Sequence, residues 1–176
     1  MSRELDRFEA VLEEGLLKVC GGAGFSSEMT ISPDIEEKWD EYVKDYVADA
    51  VDNYNDYPEA AIGFAGFLGM AVAHGWDIDW DVFKVLRYSD WYGSRGFDDM
   101  DDHIVEDILK LDADEAHKVS ETLKSCALAA EGLMRHEGFE AQTADGFYAM
   151  VRSCTVLYRI GASMELYRLG YRKQRQ

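Results

Sequence analysis

The sequence predicts an all-α protein, a multi-helical bundle of about seven helices around one buried central helix, Pro58–Gly75. Three observations carry that prediction. Between Glu59 and Asp77 there is no Lys, Arg, Asp or Glu, although 30% of all residues are charged, and a helix that is apolar on every side must be buried on every side. The other apolar residues recur at three- and four-residue intervals, giving each neighbouring segment one apolar stripe and one charged face. Only two prolines occur in 176 residues and no long β-branched alternation is present, which leaves little to specify strands. The chain reads as one domain, 1–176, because a chain of this length buries ~70% of its unfolded surface. No repeat or long linker divides it.

The elements follow in order. Ser2 is placed to cap a first helix buried on Leu5, Phe8, Leu12, Leu16 and Val19, which Gly21, Gly22 and Gly24 stop. Ser32 and Pro33 open a second helix, a capping hydroxyl followed by a residue whose missing N–H the first turn does not need. Its apolar face is Ile35, Trp39, Tyr42, Val43, Tyr46, Val47, Ala50 and Val51, with Glu37, Glu41, Asp45 and Asp49 on another side. In the central helix Pro58 suits the first turn and Gly75 the end. Gly63, Gly66 and Gly69 each cost ~1 kcal/mol against alanine, which predicts a second backbone lying close to them. Asp77 or Asp79 then caps a short helix holding Trp80, Val82, Phe83, Val85 and Leu86. An irregular aromatic segment, 88–96, leads into a helix buried on Phe97, Met100, Ile104, Ile108 and Leu111. Asp112 with Glu115 opens the next helix, which faces inward through Ala116, Val119, Leu123, Cys126, Ala127, Ala130, Leu133 and Met134 and ends near Gly138. Thr143 caps the last, with Phe147, Met150, Val151, Cys154, Leu157, Gly161 and Met164 inward.

Charge bounds the function. A net charge of −17 argues against nucleic-acid partners, because such binding relies on attraction to phosphate. Residues 150–176 hold six basic side chains against Glu165 alone, so the remainder carries −22. The last helix is therefore a basic element on an acidic body, either paired with its neighbours or offering a strip to an anion or acidic partner. No membrane span is expected: the 17 uncharged residues of the central stretch reach ~26 Å against a ~30 Å hydrocarbon core. Cys20, Cys126 and Cys154 form an odd set with no C-x-x-C, and the N-terminal segment is charged throughout. That combination predicts a cytoplasmic protein with its thiols in the core.

Three constellations could carry chemistry. Six of the ten residues Asp98–Asp107 are acidic, with His103 among them. Helical spacing places Asp99, His103 and Asp107 on one side and Asp98, Asp102 and Glu106 on an adjacent one. Asp99, Asp102, His103 and Glu106 are thus a candidate ligand set for Mg²⁺ or Mn²⁺, or else a solvated face whose first turn favours acids. The string Asp98-Asp99-x-x-Asp102 is similar to the aspartate-rich motif of helical isoprenoid synthases over those residues, without that family's second motif. Glu36-Glu37-x-x-Asp40-Glu41 resembles the opening of all-helical nucleotide pyrophosphohydrolases, which hold Mg²⁺ between carboxylates of two helices. That resemblance implies a second acidic pair on the next helix, where Pro58–Trp76 offers only Glu59.

His74 becomes a ligand only if His103 or an acid approaches it. Trp91, Tyr92 and Arg95, facing Arg152 and Arg159, form a candidate ligand-binding set: aromatic stacking and guanidinium forks suit a nucleotide, phosphate or carboxylate. The same residue types anchor protein partners. No complete catalytic motif is present. The sequence therefore points to a non-enzymatic interaction or regulatory module without a cofactor, engaging a protein partner or a second copy of itself. The alternative is a Mg²⁺- or Mn²⁺-dependent phosphohydrolase or other metalloprotein built on Asp98–Asp107.

Overall fold

The computed structural model describes residues 2–172. Among them are six α-helices and no strand: α1 (Ser2–Gly22), α2 (Pro33–Tyr54), α3 (Pro58–Phe83), α4 (Met100–His103), α5 (Ala113–His136) and α6 (Ala144–Arg168). A 3₁₀ turn covers Tyr88–Trp91, and α4 runs directly into a π turn, Ile104–Ile108. Three of the expected caps are formed, each worth ~1 kcal/mol. Ser32 accepts from the Ile35 N–H at 3.3 Å, Asp112 from Glu115 at 2.8 Å and Thr143 from Gly146 at 3.0 Å.

α3 is the buried central helix that the sequence predicts, and α6 packs directly against it. From Ala61 to Gly75 α3 is buried except at Phe64 and His74, which are half-buried. The helix is long and apolar enough to cross a bilayer, yet 72% of its most apolar stretch is buried within the fold. α6 is its equal: from Ser153 to Leu166 only Thr155 and Arg159 are partly exposed. The two lie backbone to backbone, Gly69 against the Tyr158 carbonyl and Gly161 against the Gly66 carbonyl, so closely that a Cβ at either glycine would overlap the oxygen. Gly66 also receives Leu123 of α5, whose methyl lies 2.6 Å from where a Cβ would stand, and Gly63 faces Ala127. The glycines of α3 thus make room for both α6 and α5, and the packing gained offsets their propensity cost.

Gly75 does not end α3. Helical geometry persists to Asp79, whose φ of −165° and ψ of 90° break it before a last turn. Phe83 folds back over Gly75, its ring 2.6 Å from a Cβ position there. The separate short helix expected after Gly75 is the end of α3, which accounts for six helices in place of seven.

The basic face of α6 is spent internally. Arg152 reaches Asp6 at 2.7 Å and Glu9 at 3.3 Å on α1. Arg159 binds Glu13 of α1 at 2.8 Å and Glu36 of α2. Arg168 holds the fully buried Glu165 through two hydrogen bonds, 2.7 and 3.0 Å. Buried hydroxyls are likewise satisfied: Tyr46 donates to the Ala61 carbonyl at 2.8 Å and Tyr158 to that of Ile35 at 2.7 Å. Two residues expected inside are not. Val51 and Phe147 are 46% and 40% exposed, because they line a small cavity between the end of α2 and the start of α6 where no helix covers them.

Candidate functional site

The acidic run 98–107 does not assemble into a metal box. Asp99 precedes α4 and is occupied by its own loop, accepting from Ser94 Oγ and the Arg95 N–H, both at 2.9 Å. His103 Nδ1 pairs with Asp107 at 2.8 Å, and Asp102 and Glu106 are exposed. Met100, Ile104 and Val105 take the inner side. Of the expected four-residue alignment only the His103–Asp107 pair forms, because Asp99 lies before α4 and is held by its loop. Among the described residues no three His, Cys, Asp or Glu side chains converge as a metal site would require. Of the pyrophosphohydrolase-like string, Glu36, Glu37 and Asp40 line an open groove of about 320 Å³ with Arg159, which claims Glu36, while Glu41 pairs with Lys38 at 2.7 Å.

The set Trp91, Tyr92, Arg95, Arg152 and Arg159 is also dispersed. Trp91 is buried, stacked near Phe83 and donating from Nε1 to the Tyr42 hydroxyl at 3.0 Å. Tyr92 and Tyr88 both donate their hydroxyls to Asp49, which fastens this loop to α2. Burial and the neighbouring Asp49 push the Tyr92 hydroxyl up to about 12. Arg95 is 71% exposed with Asp99 3.9 Å away, while Arg152 and Arg159 are held by α1 and α2. An acid does approach His74: Glu165 lies 3.3 Å from Nδ1. Arg168 already grips that carboxylate and extends to Glu115 at 3.4 Å, so the cluster locks α3 and α5 to α6.

What the structure does build lies along the first turns of α3. Pro58 starts the helix directly after an exposed Tyr57, and although Ala61, Ile62 and Gly63 are buried, the side bearing Glu59, Ala60 and Phe64 stays partly open between α4 and α5. Two adjoining cavities of about 350 and 390 Å³ share Tyr57, Ala60 and Phe64. Asn53, Phe97 and Asp98 wall the first; Gly63, Phe67 and Leu123 floor the second beneath Glu59, Asp101, Glu121 and Lys124. Phe64 sits 5.0 Å from Phe97 and 6.1 Å from Phe67 between ring centroids, a firm aromatic floor. Its rim holds four carboxylates to one ammonium.

Within the acidic run, Asp101 lines the second cavity. Burial there, with the charges of Asp102 and Asp99 beside it, pushes its carboxyl up to about 6. Round the corner of Pro58 a third cavity of about 550 Å³ is lined by Tyr54, Met134 and Phe139 with Glu131 and Arg135. Burial and the nearby Glu59 push the Glu131 carboxyl upward too. Sequence reasoning passed over Tyr57, Glu59, Asp101 and Glu131. The available signal was Tyr57-Pro58-Glu59 itself, a large aromatic and a lone acid at the mouth of an otherwise uncharged helix. No family model matches the chain, and neither a curated protein nor a solved structure matches it.

Proposed function

We propose that this is a non-enzymatic interaction module that holds a basic, partly apolar segment of a protein partner in the groove along the first turns of α3. One observation carries the reading: Asp101 turns into a cavity floored by Phe64 and Phe67 and shared with Glu59 and Glu121. A lysine or arginine lays its aliphatic stem along such a floor and its charge against the rim. Aromatic faces at Tyr57 and Phe64 add cation–π attraction of ~0.5–1 kcal/mol at exposed positions. The net charge of −17 attracts a cationic partner to the molecule, and Glu59, Asp98, Asp101 and Glu121 draw it to this groove. The basic side chains of α6 do not compete, since their acids are already paired with them.

The test is fluorescence anisotropy with short peptides graded in Lys and Arg content, against wild type, Glu59→Gln/Asp101→Asn and Glu106→Gln. Losing two groove carboxylates should weaken the tightest peptide at least tenfold, the ~1.4 kcal/mol expected of rim charges acting together. Glu106→Gln, outside the groove, should leave binding within twofold. Equal weakening by both variants would reduce the effect to net charge and sink the proposal.

A further inference from the structure

The cavity at the α2–α3 turn carries a separate inference, independent of the groove on the other side of Pro58. We infer that it binds a small amphipathic cation, a primary ammonium on an aromatic or branched apolar body. At about 550 Å³ it lies within the range of small-molecule sites. Tyr54, Met134 and Phe139 supply its apolar wall.

Its polar groups are what select the ligand. Glu131 Oε1 is buried and, among the described residues, has no hydrogen-bond partner. Arg135, one turn further along α5, approaches only the other oxygen, at 3.9 Å, with its guanidinium 74% exposed. The Tyr54 hydroxyl faces the same cavity, and its contact there is the Met134 thioether at 4.0 Å, a poor acceptor. A carboxylate with one buried, unpartnered oxygen and a half-buried phenol without a good acceptor therefore line one void, an arrangement that polar groups away from water ordinarily avoid.

An ammonium carries three donors and no acceptor. One can reach Glu131, whose terminal torsion is soft enough to turn either oxygen toward the cavity, and a second the Tyr54 oxygen. The third faces the mouth and water. An anion meets Glu131 and Glu140 against the single cation Arg135, whose side chain is turned largely to solvent, and is disfavoured. A neutral apolar molecule fills the space but leaves the carboxylate unpaired.

The experiment titrates the full chain with 2-phenylethylamine, 2-phenylethanol and 3-phenylpropanoate, following backbone amide shifts and the melting temperature. The amine should shift amides around Tyr54 and from Glu131 to Phe139 saturably, with at least tenfold preference over the alcohol and no response to the carboxylate. In Glu131→Gln that preference should vanish, the amine binding no better than the alcohol. Tyr54→Phe, which keeps the ring and the charge, should weaken the amine severalfold and provides the same test if Glu131→Gln does not fold. Equal affinity of wild type for amine and alcohol would overturn the inference. So would undiminished amine binding in both variants. No saturable shift up to about 10 mM, the dissociation constant of a ligand of this size binding at low efficiency per atom, would overturn it as well.

Discussion

Replacing Gly161 by alanine should destabilise the protein by ~3 kcal/mol, although alanine is the better helix former. The propensity gain is ~1 kcal/mol. Against it stands a methyl group placed on the Gly66 carbonyl of α3. Overpacking a core costs ~1–3 kcal/mol when side chains can shift. Here the obstacle is the backbone of a helix buried on all sides, so the gross cost lies above that range, near ~4 kcal/mol. Relief requires α3 and α6 to part by on the order of 1 Å, which forfeits a quarter to a half of the dispersion energy of each contact across the seam. The net loss corresponds to ~6–12 °C of melting temperature at ~2–4 °C per kcal/mol for a chain this size. Urea unfolding followed by circular dichroism measures it. Gly15→Ala on α1 is the control: nothing lies within 4 Å of its added methyl, and it should gain ~0.5–1 kcal/mol. If Gly161→Ala is neutral or stabilising like Gly15→Ala, the two backbones do not touch and the account of the core is wrong.

Other perturbations separate structural from functional charge. Arg168→Met strands the buried Glu165 and should cost ~3 kcal/mol in urea unfolding, with Glu165→Gln/Arg168→Met recovering much of it. Asp101 binds its proton more tightly in the folded than in the unfolded chain, so its contribution to stability falls as pH rises from its ordinary value of 3.8 to about 6. Asp101→Asn should remove that slope, gaining ~1 kcal/mol at neutral pH relative to acid once solvent screening is allowed for; parallel pH profiles for the two proteins would contradict it. Mg²⁺ or Mn²⁺ should move the melting temperatures of wild type and Asp99→Asn/His103→Ala alike. A specific ion at 100 times its Kd adds ~2.7 kcal/mol, and a rise of that order in wild type alone would restore the metal reading of the acidic helix.

The central helix and its neighbours' caps were legible because both are local: an uncharged run, and a hydroxyl or carboxylate one turn before an apolar stripe. The second core helix was not. Arg152, Arg159 and Arg168 made α6 look half-solvated, and only their acids on α1, on α2 and within α6 itself explain why its interior is as dry as that of α3. Periodicity says where a side chain leaves a helix, not what meets it. The acidic run was visible as composition, but its direction depended on α3 covering Met100 and Ile104 and on a loop that holds Asp99 ahead of α4. Trp91 and Tyr92 read as display residues because they fall in an irregular loop; their partners, Tyr42 and Asp49, lie over forty residues earlier. The cavities were least legible of all. They exist where helices fail to meet, which is a property of the assembly and of no segment alone.

The backbone contact between α3 and α6 also imposes an order of events during synthesis. The last residue of α3 is Phe83 and of α6 Arg168, 85 residues later, an interval of ~4–17 s at ~5–20 residues per second. Throughout that interval a helix as apolar as a membrane span has left the ribosome while the surface meant to cover Gly66 and Gly69 is still being made. α2 and then α5 shield part of it, but the glycine seam waits for the final element. Premature release, or a slow stretch of message before Thr143, would leave that seam open to other chains, making the nascent protein a natural client for chaperones that recognise exposed apolar helix.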